Sequence, residues 1–349
     1  MPSRRLAHLL IAFALCLAAP VAAGCGSDDS GSSGGGGGGS QSSQKKIKVG
    51  LVTDIGGLND RSFNQLANQG LERAKSELGV DGRVLTSKSN ADYVPNLSTL
   101  AQQKYDVVIG VGFLMAEAMA TVAKKFPTTN FAIIDFSDAA LKGKPKNVRG
   151  LLFKEQEAGY LAGTVAGLYV KKAGGKQVIS SVGGQQIPPV DHYIAGYQAG
   201  AKKVNPNVKT LNGYSQDFVA QDKCKELALN QIAEGSQVVF QVAGQCGLGA
   251  LDAAKEKKVQ GIGVDADQGY LGAHILTSAL KKVDVAVFDT VKQAQDGSFK
   301  GGSDTVFDVK SGGVGLGKLN DKAMPFQSQV KEVQQKIADG SVKIPDTVK

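Results

Sequence analysis

From residue 45 onward the chain alternates short apolar runs with segments of helical period, and this alternation restricts its fold more than any other property. KIKVGLVT is an apolar run of strand length. SFNQLANQGLERAKSEL follows and places Phe63, Leu66, Ala67, Leu71, Ala74 and Leu78 on one face at helical spacing. The pattern repeats as strand RVLTS, helix YVPNLSTLAQQ, strand YDVVIGVG, helix MAEAMATVAKKF and strand NFAIIDF. Strands joined through helices run parallel, with helices on both faces of the sheet. NVRGLLFKEQEAGYLAGTVAGLYVKKAG reads as a strand and a long helix, after which a second series runs from QVISSVGG to VQGIGVD. Two parallel-sheet α/β units in tandem fit a chain of 349 residues. The late pieces ILTSALKKVDVAVFDTVKQAQDG, DTVFDV and QVKEVQQKIADG need not belong to the second unit, because in a hinged protein they can cross back to the first.

In open parallel sheets a ligand lies outside the carboxyl ends of the strands. Asp54, Phe63 and Asn64 follow the first strand, Gly112 and Phe113 another, Asp135 another. In the second series these places hold Gly183 and Gly184, Tyr214 to Phe218, Gly244 to Gly247, and Asp265 to Gln268. Each has an ordinary reading. Asp60 can cap a helix starting at Arg61, and glycine pairs can simply make tight turns. Turns do not need Phe63 and Phe218, however, and an aromatic beside a helix start makes a wall for a planar ligand. Phosphate and carboxylate sites use helix N-termini, Arg or Lys. Here three strand ends carry Asp54, Asp135 and Asp265, which repel an anion. They suit a neutral ligand rich in hydroxyl or N–H donors, such as a sugar or a nucleoside, or a cation.

Signatures of catalysis are weak. GGVGLGKL has the spacing of a phosphate-binding loop, but Leu319 stands where Ser or Thr must hold the metal. The three histidines, His8, His192 and His274, support neither a metal cluster nor a Ser-His-Asp set. The pair Asp265 and Asp267 is thin support for calcium. No cofactor is expected.

The first residues read as a targeting segment. Arg4 and Arg5 precede the apolar run LLIAFALCLAAPVAA, which is too short for a transmembrane helix, and AAGC ends it at Cys25. This pattern resembles a lipobox: a signal peptide over 1–24, lipidation of Cys25, and a flexible Gly/Ser tether over 25–45. A plain secretory leader is the alternative. The formal charge of +8 is spread over lysines without an Arg-rich run, which argues against nucleic acid and allows weak attraction to anionic lipid or cell wall. Of four cysteines, Cys16 lies in the leader and Cys25 takes lipid. Cys224 and Cys246 remain in a compartment that permits disulfides, and a disulfide is preferred over two free thiols.

GLVTDIGGLNDRSFNQ, GLLFKEQEAGYLAG, GGQQIPPVDHYIAGYQAG, VFQVAGQCGLG, IGVDADQ and LTSALKKVDVAV, in this order, resemble the basic membrane protein family of nucleoside-binding lipoproteins. The resemblance runs from about residue 46 to the end. It implies a type I periplasmic-binding-protein fold of two Rossmann-like lobes and a three-stranded hinge. The lobes would comprise 46–152 plus about 273–303, and 153–272 plus about 304–349. It also implies a purine held between Phe63 and Phe218, its edge met by Asn64 and Asp135. Asp265 and Lys281 would hold the ribose, Asp54 would bind or orient the others, and backbone from Gly244 to Gly247 would approach the sugar. The implied protein is a membrane-anchored, monomeric receptor without catalysis that delivers a nucleoside to an ABC transporter permease. A sugar or autoinducer receptor, a hydrolase-like enzyme and an adhesion lipoprotein are the rival readings. Two departures flank the proposed aromatic wall. Val219, Ala220 and Gln221 stand where the family often has Asn-Asp-Pro, and Cys224 and Cys246 replace small residues. A bond between these cysteines would stiffen one lip of the cleft.

Overall fold

The computed structural model describes residues 46–348. The leader, Cys16, the expected lipidation site Cys25 and the tether lie outside the described residues. Among the described residues no helix is long and apolar enough to cross a membrane.

The first sheet is built on β1 (Lys48–Ile55), whose side chains are buried on both faces, as an interior parallel strand requires. It pairs in parallel with β2 (Asp81–Ser87) on one side and β3 (Val107–Gly110) on the other. Beyond β3 lie β4 (Asn130–Ile134) and β5 (Val148–Phe153), also parallel. Helix α1 (Phe63–Leu78) buries Ala67, Leu71 and Ala74 against the sheet and stops at Gly79, whose φ of 68° takes the left-handed conformation that ends a helix. Helices α2 (Tyr93–Gln102) and α3 (Ala116–Lys125) cover the opposite face, and Tyr93, Leu97, Leu100, Met115 and Met119 form their core.

The second sheet repeats this plan. After α4 (Glu155–Ala173) come β6 (Val178–Gly183), α5 (Pro188–Val204), β7 (Lys209–Tyr214), α6 (Gln221–Ala233), β8 (Ser236–Val242), α7 (Gly247–Glu256) and β9 (Gln260–Asp265). Helices α4 and α5 cross without side chains between them. A Cβ on Gly159 or Gly163 would run into the backbone of Tyr193 or Tyr197, and one on Gly196 or Gly200 into that of Gln156 or Tyr160. The glycine seam therefore sets how closely the two helices pack, and it positions Tyr193 and the start of α4 at the edge facing the cleft.

The late elements divide differently from the expected boundaries. β10 (Ile275–Lys281), expected in the first lobe, pairs in parallel with β9 and belongs to the second sheet. Ile275, Leu276 and Ala279 are buried there, on a strand closed in on both faces. Only then does the chain return: α8 (Val283–Asp296) packs on α1, where Gly70 meets the backbone of Asp284. β11 (Ser303–Phe307), expected to open the second lobe's tail, pairs in parallel with β5 in the first sheet. β12 (Val314–Leu316) returns as an antiparallel edge on β10, followed by α9 (Gln327–Ala338). β10 is apolar like its neighbours and β11 is a short, half-exposed edge strand, so pattern alone did not assign either to a sheet. The orders are β11-β5-β4-β3-β1-β2 and β12-β10-β9-β8-β6-β7. The chain crosses between the sheets three times, at Lys154, at Lys282 and over 308–313. The crossings lie side by side: the Phe153 and Phe307 rings stack at 4.9 Å, Lys154 N–H donates to the Phe307 carbonyl (2.9 Å) and Lys282 N–H to that of Gly313 (2.8 Å).

Candidate functional site

The carboxyl ends of both sets of parallel strands face one cavity with about 620 Å3 of empty space, its open mouth included. All eight residues expected to bind ligand line it: Asp54, Phe63, Asn64, Asp135, Phe218, Gly244, Asp265 and Lys281.

The first lobe's wall grows from the turn between β1 and α1. The Asp54 N–H donates to Asn64 Oδ1 at 2.9 Å, which leaves the Asn64 amide NH2 as the donor available to an occupant. Asp54 Oδ1 accepts from the Ile55 N–H (2.7 Å) and from the Tyr93 hydroxyl. Burial raises the Asp54 carboxyl to about 6, against the opposing pull of those hydrogen bonds. Asp60 has the ordinary role, moved by two residues: the helix begins at Phe63, and the Asp60 carboxylate accepts from the N–H groups of Ser62 (3.1 Å), Asn64 (2.7 Å) and Gln65 (3.0 Å). Phe63 and Phe113 add aromatic surface to this wall.

The second lobe contributes Phe218, from the loop between β7 and α6, and an apolar strip of Ile187, Pro189 and Val190 at the start of α5. The Phe218 ring lies over Gly184, where any Cβ would collide with Cδ1 and Cε1 of the ring. Gly244 adopts φ 54° beneath the same loop, and its backbone borders the cavity.

Between the walls sits a cluster of buried charges. Lys281, only 2% exposed, ends β10 with its Nζ 2.6 Å from Asp135 Oδ1 and 2.8 Å from Glu155 Oε1. That ammonium also stands 5.1 Å from the centre of the Phe63 ring and 4.9 Å from that of Phe153. Burial would lower its pKa, but Asp135, Glu155 and Asp265 outweigh burial and raise it. Burial raises the carboxyls of Asp135 and Asp265, with Lys281 opposing. Burial also pushes Glu155 up, yet Lys281 and His192, whose Nδ1 is 3.2 Å from Glu155 Oε2, bring it below its usual range.

Asp265 joins the lobes directly. Its Oδ2 accepts from Ser62 Oγ of the first lobe at 2.7 Å, and its Oδ1 from the Tyr193 hydroxyl of α5 at 3.1 Å. Gln268 Nε2 donates across the same gap to the Arg61 carbonyl at 3.3 Å. Sequence reasoning did not single out Ser62, Tyr193 or Glu155. Ser62 lies within a quoted motif, but its partner is 203 residues away. Tyr193 and Glu155 sit inside helical patterns that read as core.

Two other features find structural roles. Asp267 accepts from the N–H groups of Gly269 (3.2 Å) and Lys318 (3.1 Å), away from Asp265. GGVGLGKL forms the antiparallel edge strand β12 rather than a strand, loop and helix around a phosphate. Cys224, in the first turn of α6, and Cys246, just before α7, are joined by a disulfide with their Cα atoms 5.6 Å apart.

Comparison with known proteins agrees with this architecture. A family model described as "Bmp: ABC transporter substrate-binding protein PnrA-like" matches residues 47–348. The CD4+ T-cell-stimulating antigen of Listeria monocytogenes is 36% identical over 96% of this chain and 98% of its own. The ABC transporter nucleoside-binding protein BmpA of Lactococcus lactis is 34% identical over 99% of both chains. A solved ABC-transporter solute-binding protein from Aeropyrum pernix superposes with a TM-score of 0.78 at 30% identity, covering 87% of this chain and 94% of that one. With the family matched along the whole described domain, the chain belongs to the Bmp family of PnrA-like ABC transporter substrate-binding proteins and is a solute-binding protein, not an enzyme.

Proposed function

We propose that this protein binds a nucleoside, of the purine type, in the cleft between its lobes and delivers it to a permease, working as a monomer held at the outer membrane surface through lipid on Cys25. The observation that carries the reading is the pairing of Phe63 from one lobe with Phe218 from the other around a cavity edged by Asp54, Asn64, Asp135, Asp265 and Lys281. A planar base satisfies the aromatic faces, and ribose hydroxyls satisfy buried carboxylates that would repel a phosphate. The nucleoside-binding name of the Lactococcus lactis relative supports the same class. Ligand that touches both lobes only when they are closed favours the closed state by its contacts there.

Thermal unfolding of the domain from residue 46, against nucleosides, free bases, sugars and amino acids, tests this. Binding to the native state alone stabilises by about 2.7 kcal/mol at a hundredfold excess over Kd. A rise in Tm with nucleosides but not with sugars is expected, and a rise with sugars alone would overturn the reading.

The pH dependence carries a sign. A ligand N–H or O–H on Asp54 favours the ionised carboxylate, so affinity is full above about 6 and falls as pH drops through that value. Each further unit lowers affinity by up to about tenfold. Titration calorimetry should show an acid limb in the wild type that is shallower in Asp54→Asn, where the raised Asp135 and Asp265 carboxyls still titrate. A Kd that stays flat from neutral pH to about 5 would remove Asp54 from the set of ligand acceptors.

A further inference from the structure

The loop that carries Phe218 is short and half-buried, with Gln216 and Val219 exposed and the Ser215 and Gln216 N–H groups donating to the Gly183 and Gly184 carbonyls at 2.9 Å. Val219 is 38% exposed. Asp217 holds the loop from within, accepting from the N–H groups of Val219 (2.8 Å) and Ala220 (3.0 Å) and pairing with Lys223. Toward the rest of the lobe, the Phe218 carbonyl accepts from the Cys246 N–H at 3.0 Å. Cys246 is in turn bonded to Cys224, six residues past Phe218. Loop, disulfide and hydrogen bond therefore close a ring: from Phe218 along the chain to Cys224, across the sulfurs to Cys246, and back through its N–H to Phe218. Both cysteines are fully buried in an apolar cluster with Val182, Ala228 and Ala243, out of reach of a reductant while the lobe is folded.

We propose that the Cys224–Cys246 disulfide is a positioning clamp for the Phe218 wall, fixing the ring over Gly184 before ligand arrives. The clamp rests on the nucleoside reading for its functional consequence, but its structural part does not. An aromatic wall that is already in place loses little freedom when a base stacks on it, so the clamp acts on affinity through preorganisation. Without the sulfur bridge, the Phe218 loop keeps the Ser215 and Gln216 N–H bonds to the Gly183 and Gly184 carbonyls, and the Cys246 N–H to the Phe218 carbonyl remains as its link to the start of α7. Bound nucleoside should then leave faster, while its association rate changes little.

The test compares oxidised wild type with Cys224→Ala/Cys246→Ala, using inosine, adenosine, guanosine and uridine as probes. Affinity for the best of these is expected to fall by about five- to tenfold in the double variant, mainly in the dissociation rate, well below its Tm. The same pair of substitutions in a Phe218→Ala background should change affinity by less than about twofold, because the clamp then has nothing to position. An equal loss in both backgrounds, or a lower Tm with unchanged affinity, would reduce the disulfide to a general stabiliser. Amide hydrogen exchange in ligand-free protein reads the clamp independently. Exchange over residues 215–220 should rise at least about tenfold when the bridge is removed by substitution, or by reduction in mild denaturant if the variant does not fold. Unchanged exchange overturns the clamp. If no nucleoside binds the oxidised wild type, the functional reading falls while exchange still decides the clamp.

Discussion

Phe63→Ala should weaken nucleoside binding by at least about tenfold, because stacking a base on an aromatic side chain contributes about 1–3 kcal/mol. Phe63 opens α1 and is half-buried, lining the cavity on one side while its other side packs at the margin of the first lobe's core. Stability should therefore change little, which separates a binding effect from a folding one. The ring has a second partner in the Lys281 ammonium, 5.1 Å from its centre. Its loss also removes that ring face from the cation, which stays paired with Asp135 and Glu155, so some of the affinity loss will come from altered polar surroundings. Calorimetric titration of folded protein measures the effect, and an affinity equal to wild type would exclude the stacked pose.

Lys281→Met should have the largest effect on stability. The side chain is nearly as long, but Asp135 and Asp265 lose their cation to a buried methyl thioether and Glu155 keeps only His192 beside it. Removing one partner from a buried ionic cluster costs about 3–5 kcal/mol, chiefly because the remaining charge is uncompensated. The pH dependence checks the cause. Uncompensated buried carboxylates titrate above their unfolded values, so the folded variant binds more protons than the unfolded chain, and its deficit should shrink as pH falls from about 7 to 5. A simple packing defect would give the same deficit at both values. Urea denaturation at the two pH values distinguishes them.

Lys281 came from the family resemblance of LTSALKKVDVAV, whereas Phe63 could be found in the sequence because of the parallel sheet. Its strands point the same way, so a residue immediately after an apolar run is placed at the cleft without knowledge of what it faces. Asp54, Asp135 and Asp265 were legible on that basis, and Phe63 and Phe218 stood out because turns have no use for them. What the pattern lacks is the pairing across the cleft. Ser62 and Asp265, or Lys281 and Asp135, meet because two sheets are brought together, and periodicity within one element carries no trace of that. The same limit misplaced β10 and β11: neither an apolar strand nor a short half-exposed edge strand carries the identity of its sheet, and only pairing with β9 or β5 assigns it. Helix α4 hid Glu155 for another reason. It is buried on nearly every side, so no polar face contrasts with an apolar one to show which residues point where.

The three side-by-side crossings fix more than the connection between the lobes. Two bodies joined by a single strand can tilt, twist and slide, and a ligand must select one of many approaches. Joined at Lys154, Lys282 and 308–313, with the first and third tied by the Phe153–Phe307 stack, these lobes are expected to move chiefly by rotation about the line of the crossings. Phe63 and Phe218 then meet in the same register on every closure, as do Ser62 and Asp265. Closure becomes a single coordinate, which one distance between labels placed on the two lobes would report completely.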